Sequence, residues 1–164
     1  LNLSPPLSMK PIWFKNHVAY TMAKYGMSMC VLGMAEEFKR DGIGVNALWP
    51  RTVIDTAALQ MIPGIDAAAG RTPEILADAA YIIFNRDAKE CTGNFFVDDL
   101  LLASEGITDL EKYSVTPGTK DFLLDFFRWL FVARQNRIDI LRAANAIGQL
   151  IESPVPTGAK LCNQ

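Results

Sequence analysis

Apolar residues fall along the chain in short continuous runs and in longer stretches at helical spacing, and the two kinds alternate. "LNLS" (Leu1 to Ser4) is a brief extended run closed by Pro5 and Pro6, which cannot continue a sheet ladder. From about Asn16 to Lys39 apolar residues recur with a helical period, placing Ala19, Ala23, Met27, Cys30, Met34 and Phe38 near one face of a long helix that ends at "KRDG". "IGVNALWP" (Ile43 to Pro50) is short, apolar, preceded by a turn at Gly42 and stopped by proline, so it reads as a buried strand. Helical patterns follow from Thr56 to Met61 and from Pro73 to Phe84, the second with Thr72 as a cap, Pro73 at the first helical position and Glu74 at the positive end. A third strand, Asn94 to Val97, comes after a turn at Gly93. Strand, helix, strand, helix, strand is a parallel α/β succession, not a bundle or sandwich, and no internal repeat interrupts it.

Composition narrows what such a domain does. A chain of 164 residues, 50% hydrophobic and 21% charged, is long enough to bury a core. A formal net charge of -2 leaves no basic footprint for nucleic acid. Cys30, Cys91 and Cys162 are widely spaced and odd in number, which points to neither a disulfide framework nor a metal site and fits a reducing, intracellular compartment. Leu1 is not an initiator, and "LNLSPP" opens without a cap, turn or signal peptide, so the chain reads as a fragment.

The residues that carry chemistry sit at the start of the long helix. Tyr20 and Lys24 are one turn apart on one face, so the phenol and the ammonium address the same point in space. A free phenol, with a pKa near 10, is too weakly acidic to serve as a base at neutral pH, and lowering it about three units takes roughly 4 kcal/mol. One lysine charge at about 4 Å supplies that much at an effective dielectric near 20. On spacing alone the plainer reading, an aromatic on the core face beside a snorkelling lysine, wins by a wide margin.

Company decides between those readings. "YTMAK" follows the serine-bearing loop "LNLSPPLS" and precedes "VNALWPR" and "TGNFFVDDLL", and this order of motifs resembles the short-chain dehydrogenase/reductase family, with its YxxxK, VNxxxPG and TGxxxxVDGG elements. Arg51 stands where the family pattern has glycine, and the glycines after "VD" are missing too. The resemblance implies the C-terminal half of a Rossmann-type, doubly wound parallel sheet over residues 1–104; a connecting loop over 105–120 and a helical tail of uncertain origin over 121–164 follow it. It implies an NADP- or NAD-dependent oxidoreductase acting on a small carbonyl or alcohol, lipid-like substrates included. Tyr20 would be the acid/base, and Lys24 would bind the nicotinamide ribose and depress the tyrosine pKa. The family's serine falls at Leu7 by spacing, which leaves Ser8 and Ser4 as candidates to polarise the substrate carbonyl. Pro50, Ile54 and Thr56 would lie against the nicotinamide. The resemblance further implies assembly into a homo-oligomer through the 16–39 helix and residence in peroxisome or mitochondrion. The chain has no GxxxGxG or GxGxxG turn to cradle a pyrophosphate, and the family places that turn, with its relay asparagine, ahead of the position of Leu1. The chain is therefore expected to hold the chemical half of the site without the cofactor half and to be inactive alone.

Other signals take plainer readings. His17 is a surface or capping residue, Met22, Met27, Met29 and Met34 are core or subunit-contact residues, Cys30 is a small hydrophobe, and "TPGTK" (Thr116 to Lys120) is a turn. "DFLLDFFRWLFVARQNRIDILRAANAIGQLI" (Asp121 to Ile151) has a helical pattern with Phe122, Phe126, Trp129, Leu130 and Ala133 on one face, too charged to span a bilayer. It is expected to cover the domain, with contact to a membrane surface as the lesser reading. The alternative to an enzyme is a non-catalytic module that pairs with full-length subunits through the long helix.

Overall fold

The computed structural model describes residues 1–127. Three short strands, β1 (Asn2–Leu3), β2 (Ala47–Trp49) and β3 (Phe95–Val97), form one parallel sheet in the order β1-β2-β3. Asn2 pairs with Ala47, and Ala47 in turn with Phe95. The helix α1 (Val18–Glu37) links β1 to β2. Between β2 and β3 lie a four-residue helix, α2 (Ala57–Gln60), and the longer α3 (Glu74–Phe84). Directly after β3 the chain turns into α4 (Asp98–Ser104). The α/β reading with a parallel sheet therefore holds, while α4 went unread because "DDLLLAS" is too short to show a period.

The pleat of β2 sends alternate side chains to opposite faces. Ala47 packs with Val31 and Ala35 of α1, whereas Leu48 packs with Ala79 and Ile83 of α3 and Leu101 of α4. The sheet is thus covered on both faces by helices, as a doubly wound fold requires.

The buried face of α1 is not the stripe that the apolar period predicts. Thr21, Tyr25, Ser28, Val31 and Ala35 are buried, whereas Ala19, Ala23, Cys30 and Met34 lie on the exposed side. Apolar residues run nearly round the helix, so hydrophobicity alone does not choose a face; hydrogen bonding does. Thr21 Oγ1 donates to the Trp13 carbonyl. Ser28 Oγ is 2.6 Å from the Pro5 carbonyl and 3.2 Å from that of Lys24. These hydroxyls can be buried because each has a partner, and they tie α1 to the loop leaving β1. Gly42, at φ 69°, closes the turn after "KRD".

Two further expectations change. Pro73 is the residue flanking α3 and Thr72 does not cap the helix through its side chain. The 105–120 stretch contributes to the core: Tyr113, almost wholly buried, packs with Ile54, Ile75 and Leu102, and its hydroxyl donates to Asp78 at 2.5 Å. Residues 121–127 form no helix: Leu124 makes an isolated antiparallel bridge with Thr52, and the chain turns at Phe126 and Phe127. The remainder of the tail expected as a helix lies outside the described residues. Among the described residues no helix is long and apolar enough to cross a membrane.

Candidate active site

Ligands of open parallel sheets bind outside the carboxyl ends of the strands, and there the sequence-singled residues gather. Lys24 Nζ donates to the carbonyl of Leu3, the last residue of β1, at 3.2 Å, and lies 5.3 Å from the centre of the Trp49 ring, the last residue of β2. Tyr20 is one turn back on the same helix and is 45% exposed. Ser4 follows Leu3 directly; it is fully buried and its hydroxyl has no partner. Ser8 lies farther along the loop, half-buried, and its oxygen accepts a long 3.5 Å bond from the Lys10 N–H.

The cofactor-side candidates divide. Pro50 is half-buried at the end of β2. Ile54 packs into the core beside Ile75, Leu102 and Tyr113, and its backbone is bridged to Arg71. The Thr56 hydroxyl accepts from the Leu59 N–H at 3.3 Å and so caps α2.

Where the chain departs from the family pattern, the departures meet. The backbone N–H of Arg51 donates to Asp98 Oδ1 at 3.0 Å, and the Arg51 guanidinium pairs with Asp99. Asp98 Oδ1 also accepts from the Asp99 N–H at 2.8 Å. Asp98 is completely buried, and that burial pushes its pKa up to about 6 against the pull of those two N–H donors. The "VN" asparagine is equally well engaged. Asn46 donates to the Cys91 carbonyl at 2.8 Å and accepts from the Asn94 N–H at 3.1 Å, so it aligns the starts of β2 and β3.

The electrostatics of Tyr20 differ from expectation. Its pKa is raised, first by burial and then by the charge of Asp125, in place of the depression expected from Lys24. Lys24 is engaged by the Leu3 carbonyl and the Trp49 ring, and it interacts electrostatically with Asp125. Asp125 itself is pushed up to about 6 by burial, against the pull of the Phe127 and Phe126 N–H groups, the Trp49 indole and, last, the Lys24 charge. The Trp49 indole lies near enough to steady the charged carboxylate, yet neither its Nε1 nor Asp125 Oδ1 completes a hydrogen bond.

Phe126 and Phe127 complete this corner and were missed. Phe127 is fully buried among Trp13, Tyr25 and Trp49, and stacks on Tyr20 with ring centres 6.1 Å apart and planes at 14°. Phe126 meets Tyr20 edge-on at 5.8 Å and His17 at 4.5 Å, so His17 packs against the site and caps nothing with its side chain. The signal was present in "DFF", but the helical period assigned to the tail hid it. Among the described residues no group of three or more His, Cys, Asp or Glu side chains is placed to hold a metal.

No family model matches the chain. Individual proteins do. Hydroxysteroid dehydrogenase-like protein 2 of Xenopus tropicalis is 59% identical over 130 residues, covering 76% of this chain and 30% of that protein. The protein of the same name from Homo sapiens is 55% identical over 130 residues, with the same two coverages. Among solved structures, a protein from Xanthomonas campestris assigned as a dehydrogenase superposes with a TM-score of 0.72 at 52% identity, over 76% of this chain and 46% of the other. A short chain dehydrogenase from Mycobacterium thermoresistibile gives 0.67 at 43% identity, over 76% and 44%. The chain spans about a third of the length of the curated relatives it matches. Over the stretch they share, the chain is similar in sequence to hydroxysteroid dehydrogenase-like protein 2 and in both sequence and fold to solved short-chain dehydrogenases.

Proposed function

We propose that this stretch supplies the proton-transfer half of a nicotinamide-dependent carbonyl/alcohol oxidoreductase. The observation that carries the reading is the placement of Tyr20 and Lys24 on one face of α1, with Lys24 fixed to the carbonyl that ends β1 and Tyr20 half open beside it. In the reductive direction Tyr20 gives its phenolic proton to the substrate oxygen as hydride reaches the carbonyl carbon; in the oxidative direction the phenolate takes that proton back. A bound nicotinamide, NADP or NAD, supplies or accepts the hydride. The residues present fit such a group in part: the Lys24 ammonium spends one N–H on Leu3 and has others for ribose hydroxyls. Ser4 or Ser8 would donate to the substrate oxygen; Ser4 is the one at the strand end with an unspent hydroxyl. With no Gly-rich turn in the sequence, the chain as it stands is expected to lack turnover.

The test joins the chain to the Gly-rich half of a relative and compares Tyr20→Phe, Ser4→Ala and Ser8→Ala with the parent. Tyr20→Phe is expected to lower kcat by about 100-fold or more, the ordinary contribution of a positioned acid/base. Equal turnover would end the assignment.

A second reading rests on a separate observation. Met22, 64% exposed, and Met29, 48% exposed, lie on α1 with Met34 on the side away from the core. Such a face suits self-association or pairing with full-length subunits. Mixed oligomers on co-expression, lost in Met22→Lys/Met29→Lys, would support it; unchanged oligomers would not.

A further inference from the structure

We propose that Asp125, Phe126 and Phe127 form a positioning element for Tyr20, the rings holding the phenol in place and the carboxylate supplying a fixed counter-charge to the Tyr20–Lys24 pair. The proposal rests on the reading of Tyr20 as the acid/base. Four observations converge on it.

The segment is fastened where it lies. The Val53 N–H donates to the Leu123 carbonyl at 2.9 Å, the Leu123 N–H to that of Ala69 at 2.8 Å, and the Asp125 N–H to that of Arg51 at 3.0 Å. The loop leaving β2 therefore carries the segment, as an added extended edge, onto the carboxyl ends of the strands.

Its rings clamp the phenol from two directions. Phe127 is stacked on Tyr20 and Phe126 is edge-on to it, while the two phenylalanines meet each other at 4.8 Å, near-perpendicular. Rings in stacked and edge-on contact restrict one another's rotation. Phe127, wedged against Trp13, Tyr25 and Trp49, cannot move without opening the core.

Asp125 has an oxygen to spare. Its Oδ1 is buried without a hydrogen-bond partner. The Phe127 and Phe126 backbone N–H groups and the nearby Trp49 indole favour the charged carboxylate, and the Lys24 charge adds to them.

The groups facing this corner have opposite signs. From α1 come Tyr20, Lys24 and Tyr25, with His17 just ahead of the helix; from the loop after β2 comes Arg51, whose guanidinium is turned to Asp99. Asp125 is thus the anion set against the tyrosine and lysine, and at the alkaline pH where a phenol titrates it is fully ionised.

Ultraviolet phenolate titration of the full chain tests this without any turnover, so its failure is separate from failure of the proposed reaction. The difference between the parent and Tyr20→Phe isolates Tyr20 from the three other tyrosines. Asp125→Asn is expected to lower the Tyr20 midpoint by about half a pH unit or more, the effect of one partly screened charge. Asp125→Glu is expected to keep the parent midpoint. An unmoved midpoint in folded Asp125→Asn overturns the proposal, as does an equal shift in Asp125→Glu, which would make shape and not charge the cause. Should Asp125→Asn not fold, the carboxyl-carbon NMR titration of Asp125 decides: its midpoint is expected to rise in Lys24→Gln, and no change overturns the proposal.

Discussion

Phe127 offers the sharpest test of how the last described segment belongs to the fold. Its side chain is fully buried and makes ring contacts with Trp13 at 5.8 Å, Tyr25 at 5.5 Å, Trp49 at 5.6 Å and Phe126 at 4.8 Å, besides the stack on Tyr20. Replacing a fully buried phenylalanine by alanine costs about 3–5 kcal/mol, the sum of lost transfer free energy and an unfilled cavity. Domains of this size have only about 5–15 kcal/mol in hand. Phe127→Ala should therefore consume a large share of the stability if the segment unfolds only with the body. Alternatively the segment can detach by itself, and the loss is then capped at its docking free energy. Urea unfolding followed by circular dichroism and by tryptophan fluorescence separates the two cases, because Trp13 and Trp49 both touch Phe127. A joint shift of both transitions indicates a single cooperative unit; an early fluorescence change with delayed loss of helix indicates a separable strap. A loss below about 1 kcal/mol with both probes unmoved would refute the placement of Phe127 in the core.

Four other outcomes are expected. Asp98 has a folded pKa of about 6, above the ordinary carboxylate value near 4, so the folded state binds more protons between those values and stability rises as pH falls from 7 toward 4, by about 3 kcal/mol at most; Asp125 acts in the same direction, and Asp98→Asn should flatten the profile measured by denaturant titration. In a Cys162→Ser background a thiol reagent should label Cys30 at once and Cys91 only on unfolding, whereas slow Cys30 labelling would restore the face of α1 that the apolar period predicts. Asn46→Ala, which removes the donor to Cys91 and the acceptor for Asn94, should cost about 2–4 kcal/mol in the same denaturant assay. Fluorescence titration of the chain with NADPH and NADH is expected to show no saturable binding; micromolar affinity would contradict the half-site reading.

Much of the architecture was legible because it depends on local chemistry. Pro5 and Pro50 stop strands, Gly42 ends the stretch after the long helix, and the run through Leu48 is apolar because both faces of β2 are covered. The face of α1 was not legible, since Thr21 and Ser28 are buried through hydrogen bonds to Trp13 and Pro5 that no periodicity encodes. Tyr20 and Lys24 could be singled out because a one-turn spacing brings two side chains together within a single helix. Asp125 and Phe127 were not, because 105 and 107 positions of chain separate them from Tyr20 and only the folded loop after β2 brings them to it. The sign of the Tyr20 shift failed for the same reason: one neighbour was visible in the sequence and the opposing one was not.

The pairing of Arg51 with Asp99 bears on how the chain can be altered. Arg51 stands where the family motif has glycine, and both side chains are largely withdrawn from solvent, 25% and 16% exposed. Placing glycine at one site alone would strand the other's charge in a partly buried place, so the two sites are coupled and a single replacement is worse than none or both. A chimera with another reductase whose junction falls between β2 and β3 would separate the partners, and only grafts that carry both crossover ends together would inherit a neutral seam.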